Sequence, residues 1–138
     1  MPILRFHLVE EHYTDAQCEA LLVQSSQFYA DVLQSPIERI RVFIDLYRPG
    51  MAAVGGSLVS KCHTPAPYFE FLVLEGRPLE VRQRLQVGFT DLIERILFAP
   101  RGLIRGVCWS VPPDDWSIGG ESASTVRAAE VKARSQGP

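Results

Sequence analysis

The sequence predicts an α+β fold in which two tandem β-α-β-hairpin repeats form a four-stranded-plus-hairpin sheet with two helices on one face. Three observations carry this prediction. Apolar residues alternate with polar ones at the start of each half, a stripe of apolar residues at helical spacing follows, and each half ends in a Gly-Gly pair. The 138 residues and 46% hydrophobic content are enough to bury a real core.

The repeat is visible in an alignment of the segment from Pro2 with the segment from Pro67, an offset of 65 residues. Further along, Pro36 corresponds to Pro100 and Gly55-Gly56 to Gly119-Gly120, each at an offset of 64. One extra residue near positions 11–13 of the first copy accounts for the change in offset from 65 to 64. The two halves are therefore copies of one unit.

In the first copy, alternation predicts a strand at Leu4, Phe6 and Leu8. A helix follows, with its apolar stripe at Leu21, Ser25, Phe28, Tyr29 and Val32, and Thr14 with Gln17 forms a plausible capping box. Pro36 marks the helix exit. A second apolar strand over 40–47 and a hairpin at Gly55-Gly56 complete the copy.

The second copy repeats each element in the same order. Its first strand carries Phe69, Phe71 and Val73, and its helix stripe is Leu85, Phe89, Leu92, Ile93 and Ile96. Pro78 suits the first helical turn and Pro100 marks the exit. A strand over 104–111 and a hairpin at Gly119-Gly120 follow.

These elements divide the chain into a first unit (2–60), a linker (61–66), a second unit (67–126) and a polar tail (127–138) that we expect to be partly disordered. A strand, a helix and a second strand favour a right-handed parallel crossover. One helix covers one side of each unit's sheet, so Ile3, Tyr68 and Leu72 are left on an uncovered face. We expect association of chains to bury that face.

Composition excludes several classes of function. The net charge of −2 and the scattered basic residues argue against a nucleic-acid partner. No apolar run is long enough for a membrane span, and no secretory signal opens the chain, so a cytoplasmic location is expected. Three widely spaced cysteines and three histidines without paired spacing predict reduced thiols and no metal site.

The second half, from Pro67-Tyr-Phe-Glu-Phe-Leu-Val-Leu-Glu-Gly-Arg77 through Arg105 to Trp116-Ser-Ile-Gly-Gly, closely resembles 4-oxalocrotonate tautomerase (4-OT) of the tautomerase superfamily. The first half matches less well, keeping Pro2, Arg41 and Gly55-Gly56. The chain thus resembles a fused, tandem-duplicated 4-OT. This resemblance implies a trimer of fused chains and cofactor-independent proton transfer on unsaturated 2-hydroxy or 2-oxo acids such as 2-hydroxymuconate, a chemistry of aromatic degradation.

Carried onto this sequence, the resemblance makes Pro2 the general base, Arg77 and Arg105 the groups that hold and polarise the substrate's oxygens, and Trp116 the wall of the pocket. Removal of Met1 would expose the Pro2 secondary amine, whereas the nitrogen of Pro67 lies within a peptide bond. We therefore predict one working site per chain and, around Pro67, a site without an amine.

Other readings stay open for these residues. Trp116 could pack its hairpin, and Arg77 could be a solvated charge at a helix start. Arg105 lies inside an apolar strand, so it needs either a ligand or an internal salt bridge as its anion.

Three first-half residues complete the candidates. Arg41 matches Arg105 in the repeat and is expected to face the Pro67 side, with a structural role as one alternative. His12 occupies the position that the resemblance gives to an arginine. It could donate a hydrogen bond to a substrate carboxylate, or it could be a plain loop residue. Arg39 is expected to be a surface charge.

Two other functions compete with the tautomerase. A dehalogenase, hydratase or decarboxylase of the same superfamily would use a protonated Pro2 with a carboxylate, for which Glu38 and Asp45 are candidates. A non-catalytic homologue would retain the fold alone, and retention of Met1 would indicate it.

Overall fold

The computed structural model describes residues 2–136, which form eight strands, five helices and four short 3₁₀ turns. The larger elements of the first copy are β1 (Ile3–Val9), α1 (Asp15–Leu33) and β2 (Arg41–Tyr47), followed by β3 (Ala53–Val54), β4 (Ser57–Leu58) and α2 (Val59–Cys62). The second copy comprises β5 (Tyr68–Leu74), α3 (Leu79–Leu97), β6 (Arg105–Val111), β7 (Ser117–Ile118), β8 (Glu121–Ser122) and α4 (Ala123–Val126). A last helix, α5 (Ala128–Gln136), ends the described chain.

The four long strands form one sheet in the order β2-β1-β5-β6. Within each copy the two strands are parallel, and the copies join through an antiparallel pairing of β1 with β5. Pro2, just before β1, and Pro67, just before β5, therefore lie at opposite ends of the sheet. The predicted α+β fold with tandem β-α-β-hairpin repeats is confirmed.

The two long helices pack antiparallel on one face of the sheet, and each copy satisfies a carbonyl at the end of the other copy's helix. The Gln17 side-chain amide donates to the Ile96 carbonyl at 2.9 Å, and the Arg77 guanidinium donates to the Leu33 carbonyl at 3.1 Å. The predicted capping box is also present. The Thr14 hydroxyl accepts a hydrogen bond from the backbone N–H of Gln17, and the side-chain carbonyl of Gln17 accepts one from the backbone N–H of Thr14.

The centre of the core is aromatic and lies between the sheet and the helices. Phe89 of α3 packs edge-on against Tyr29 of α1 and against Phe71 of β5, with ring centroids 5.1 Å and 5.2 Å apart. The Tyr29 hydroxyl donates to the Leu72 carbonyl. Since these rings come from both copies, the core belongs to the fused unit and not to either half alone.

Both Gly-Gly pairs form the predicted hairpin turns. Gly55-Gly56 links β3 to β4 with φ of 61° and 82°, and Gly119-Gly120 links β7 to β8 with φ of 60° and 91°. Residues with a side chain are disfavoured at consecutive positive φ values, which explains the glycines.

The polar tail differs from the sequence expectation. The tail (127–138) is expected to be partly disordered, but Ala128–Gln136 forms α5, which lies over the Pro2 end of the sheet, and residues 137–138 lie outside the described chain. In residues 2–136 there is no helix with the length and apolar character needed to cross a bilayer.

The side of the sheet away from the helices, here called the open face, carries alternate residues of all four long strands. They are Ile3, Arg5, His7, Arg41, Phe43, Asp45, Tyr47, Tyr68, Glu70, Leu72, Arg105, Val107 and Trp109. At its centre Glu70 accepts from Nε2 of His7 at 2.7 Å and from the Trp109 indole at 3.1 Å. The open face is thus both apolar and charged.

Candidate active site

Pro2 is buried at one end of the sheet, beneath α5. Its carbonyl accepts from the Arg41 N–H at 3.1 Å, which ties it to the start of β2. It lines a small cavity, here called the Pro2 cavity, of about 20 Å³, enough for about one water molecule. The other principal residues of that cavity are Leu33, Arg39, Val73, Arg77, Arg127, Glu130 and Arg134.

Arg77 reaches the Pro2 cavity because the chain turns sharply between β5 and α3. Gly76, at a φ of 103°, makes that turn. The Arg77 guanidinium is held by the Leu33 carbonyl at the end of α1, where backbone carbonyls attract cations. Burial, with the nearby charge of Arg134, lowers the pKa of Arg77 from 12.5 to about 10. Arg77 is therefore a partly desolvated cation that stays charged at neutral pH.

Four other charged side chains line the Pro2 cavity, and the sequence reasoning assigned none of them to the site. Arg39, expected to be a surface charge, is instead about three-quarters buried and donates from one nitrogen to both Glu130 oxygens at 3.1 Å. Arg134 lies 3.9 Å from Glu130. A sequence signal existed, since Arg127, Glu130 and Arg134 have the three- and seven-residue spacing of one helix face.

A second depression, here called the Trp116 groove, lies beside the Pro2 cavity and shares Arg39 with it. It has a volume of about 280 Å³ and is lined by Ile3, Arg41 and Trp116. The Trp116 indole N–H is buried and, among residues 2–136, has no hydrogen-bond partner. An unpaired buried donor in a groove wall is available to a ligand acceptor.

Within one chain Arg41 lies at the Pro2 end rather than on the expected Pro67 side, because β1 and β2 are parallel and start at the same end. Its guanidinium donates to the Glu38 and Ile40 carbonyls at 2.7 Å and 3.1 Å. Arg105 makes the equivalent bonds, to Gly102 and Ile104, at the same two distances. The repeat thus extends to these side-chain contacts.

Arg105 lies at the Pro67 end of the chain, with its N–H donating to the Pro67 carbonyl at 3.1 Å. Five residues of β1 separate that end from Pro2, about 17 Å along the strand. Arg105 is also exposed rather than buried, because it is the first residue of an edge strand and points to the open face. Within one chain, therefore, Arg105 does not need the buried anion, a ligand or an internal salt bridge, that its place in an apolar strand suggested.

His12 lies at the Pro67 end as well, in a depression of about 290 Å³ that also contains Tyr13 and His63. Its Nδ1 donates to the Glu10 carbonyl at 2.9 Å. The Tyr13 hydroxyl is buried and lacks a partner in the described chain, and burial raises its pKa to about 12. A single chain thus gathers Pro2, Arg77, Arg41 and Trp116 at one end, with Arg105 and His12 at the other.

The carboxylates considered from the sequence lie elsewhere. Glu38 is exposed in the turn before β2, and Asp45 lies on the open face within 3.9 Å of Arg5 and His7. The carboxylate that does line the Pro2 cavity is Glu130. Among residues 2–136 no group of side chains is arranged to hold a metal ion.

No family model matches the sequence. A 2-hydroxymuconate tautomerase from Pseudomonas sp. (strain CF600) is 38% identical over 61 residues, covering 44% of this chain and 95% of that protein. This chain is therefore about twice as long as that relative, in keeping with the duplication.

Solved structures share the whole fold. A native fused 4-OT superposes with a TM-score of 0.83 at 24% identity, covering 91% of this chain and 98% of that one. A fused 4-OT described as an asymmetric trimer gives 0.81 at 23% identity, with coverage of 90% and 98%. Macrophage migration inhibitory factor from Toxoplasma gondii gives 0.70 at 20% identity, covering 87% and 98%. Together with the near-complete match to the tautomerase, these findings show that the chain belongs to the tautomerase superfamily and has the fold of a fused 4-OT.

Proposed function

We propose that this protein is a cofactor-independent tautomerase that moves a proton on unsaturated 2-hydroxy or 2-oxo acids such as 2-hydroxymuconate, with Pro2 as general base. The observation that carries the proposal is the joint presence of Pro2 and Arg77 in one cavity. The 38% identity to a 2-hydroxymuconate tautomerase supports the substrate class.

The base requires a free amine, which removal of Met1 would provide. An α-amino group has a pKa of about 7.7–8.0, and a secondary amine is expected to be more basic. Burial and the positive charge of Arg77 both disfavour the protonated form, so the pKa of the Pro2 amine is expected to be lowered. A neutral amine near pH 7 can then accept a proton.

In the proposed reaction, the Pro2 nitrogen takes the proton of the substrate's enol hydroxyl. The electron pair of that O–H bond then forms the carbonyl, and the displaced π electrons take the proton back from the prolinium at a conjugated carbon. The Arg77 guanidinium stabilises the charge that develops on oxygen. Arg41 binds a carboxylate in the Trp116 groove, and the Trp116 ring excludes water from it.

We further propose that the working assembly is a homotrimer in which Arg105 is supplied by a neighbouring chain. Two features support this. Arg105 is exposed about 17 Å along the strand from its own Pro2, and the open face carries half-exposed Phe43 and Trp109. Structures of fused 4-OT similar to this chain are described as trimers.

The test is the ultraviolet assay for ketonisation of 2-hydroxymuconate, with Pro2→Ala and Pro67→Ala as a matched pair. General-base catalysis contributes about 10²–10⁴-fold, so Pro2→Ala should lose that much in kcat/KM while Pro67→Ala stays near the parent. Intact mass should show that Met1 is absent. A Pro2→Ala variant as active as the parent, or a parent no faster than buffer, would refute the proposal.

One observation favours the second candidate, a hydratase, dehalogenase or decarboxylase with protonated Pro2. Glu130 supplies a carboxylate inside the Pro2 cavity, where it could activate water or steer decarboxylation. The two chemistries need opposite protonation states of the amine. Direct titration of the Pro2 nitrogen by ¹⁵N NMR distinguishes them: a pKa below 7 supports the tautomerase and a pKa well above 7 supports the alternative.

A further inference from the structure

Glu130 brings a carboxylate of the chain itself into the Pro2 cavity. It accepts from Arg39 with both oxygens at 3.1 Å and lies 3.9 Å from Arg134. The same cavity is lined by Arg77 and Arg127, so four arginines and one carboxylate share it. A carboxylate among arginines is the arrangement that an acidic substrate would itself form.

We propose that Glu130 is a specificity-determining residue that pairs with Arg39 where a substrate carboxylate would bind. An acidic ligand then binds by displacing Glu130 together with α5. This inference rests on the proposed function for the class of ligand, an unsaturated dicarboxylate. It assigns to the tail helix a role in the selection of substrates.

The size of the cavity requires that something moves. With α5 in place the Pro2 cavity has a volume of about 20 Å³, which suits one water molecule and not a six-carbon diacid. Beneath α5 the floor of the cavity is formed by Leu33 and Val73, which are buried in the core. None of the residues Ala128–Gln136 of α5 is buried, so α5 can leave with little loss of apolar contact.

The charge balance explains why a carboxylate is selected. When Glu130 leaves, Arg39 and Arg134 are left in a partly buried site without their anion, which is costly. A ligand that carries a carboxylate restores the pairing, whereas a neutral ester of the same shape does not. Diacids are therefore expected to bind more tightly than their neutral esters, by more than the difference in contact area would give.

The experiment measures binding of cis,cis-muconate, a diacid without the 2-hydroxyl group, by titration calorimetry to the full-length protein. Glu130→Gln removes the competing charge and keeps the side-chain size. Glu19→Gln is the matched control, because Glu19 is exposed and lies 14 residues before Leu33 on α1, about 21 Å along the helix. Removing a partly exposed competitor should tighten muconate binding about two- to fivefold in Glu130→Gln and leave Glu19→Gln unchanged.

Amide hydrogen exchange gives a second readout that needs no turnover. Exchange in residues 128–136 should accelerate when muconate is added to the parent and should already be faster in Glu130→Gln without ligand. Binding that is unchanged or weaker in Glu130→Gln, or α5 amides that become more protected when muconate binds, would overturn the inference. Failure of the proposed function would appear instead in the Pro2→Ala turnover assay, which this binding comparison does not use.

Discussion

Arg77 is the residue at which the requirements of catalysis and of stability can be separated. Replacement by Met keeps most of the length of the side chain and removes the charge and the donors. The two terms that decide the effect on stability have opposite signs, and the structure supplies a magnitude for each.

The first term is the cost of keeping the charge in a partly desolvated place. A pKa of about 10 in place of 12.5 corresponds to about 3.4 kcal/mol at full strength. Because the side chain is only half-buried, solvent screening reduces this to about 1.5 kcal/mol. The second term is the hydrogen bond to the Leu33 carbonyl, worth about 1.5–3 kcal/mol for a charged donor.

These terms largely offset each other, so we expect Arg77→Met to lower the free energy of unfolding by no more than about 1.5 kcal/mol. Activity should behave differently. Loss of a cation that stabilises charge on oxygen costs about 10²–10³-fold in kcat, equivalent to about 2.7–4 kcal/mol of barrier.

The assays are urea unfolding followed by circular dichroism and kcat/KM for 2-hydroxymuconate. Arg84→Met is the matched control, because Arg84 is an exposed arginine of α3. A destabilisation of more than about 3 kcal/mol would show that Arg77 is mainly structural. A kcat/KM within threefold of the parent would remove it from the proposed mechanism.

Other predictions test the packing and the open face. A Cβ at Gly106 would lie 2.2 Å from Cζ of the buried Phe69 ring, so Gly106→Ala should lose about 1–3 kcal/mol in urea unfolding. Gly102→Ala, which meets nothing within 4 Å, should lose much less. The hydrogen bond from His7 lowers the pKa of Glu70 below 4.5. Its stabilisation is present above that pH and is lost as pH falls through the lowered pKa. Unfolding midpoints between pH 6 and 3 should therefore fall more steeply for the parent than for Glu70→Gln, and equal slopes would contradict this.

The architecture could be predicted because its signals are local and occur twice. Alternation at Leu4, Phe6 and Leu8 and the helical stripe ending at Val32 recur in the second copy, so each assignment is supported by its counterpart. Each Gly-Gly pair predicts a tight turn, and the positive φ values of these glycines confirm it. The helix of the tail has the same kind of signal at Arg127, Glu130 and Arg134, but it has no counterpart in the first copy to support it.

The sequence by itself thus determined the repeat, its long helices and strands and its glycine turns, and the resemblance to 4-OT supplied the candidate residues Pro2, Arg77, Arg41 and Trp116. The tertiary structure decided which of them meet. The antiparallel joining of β1 to β5 moves Arg105 and His12 away from Pro2 and keeps Arg41 beside it. It also brings Glu130, from a helix 128 residues further along the chain, into the Pro2 cavity. Such pairings depend on strand direction and long-range register, which side-chain periodicity within one segment does not encode.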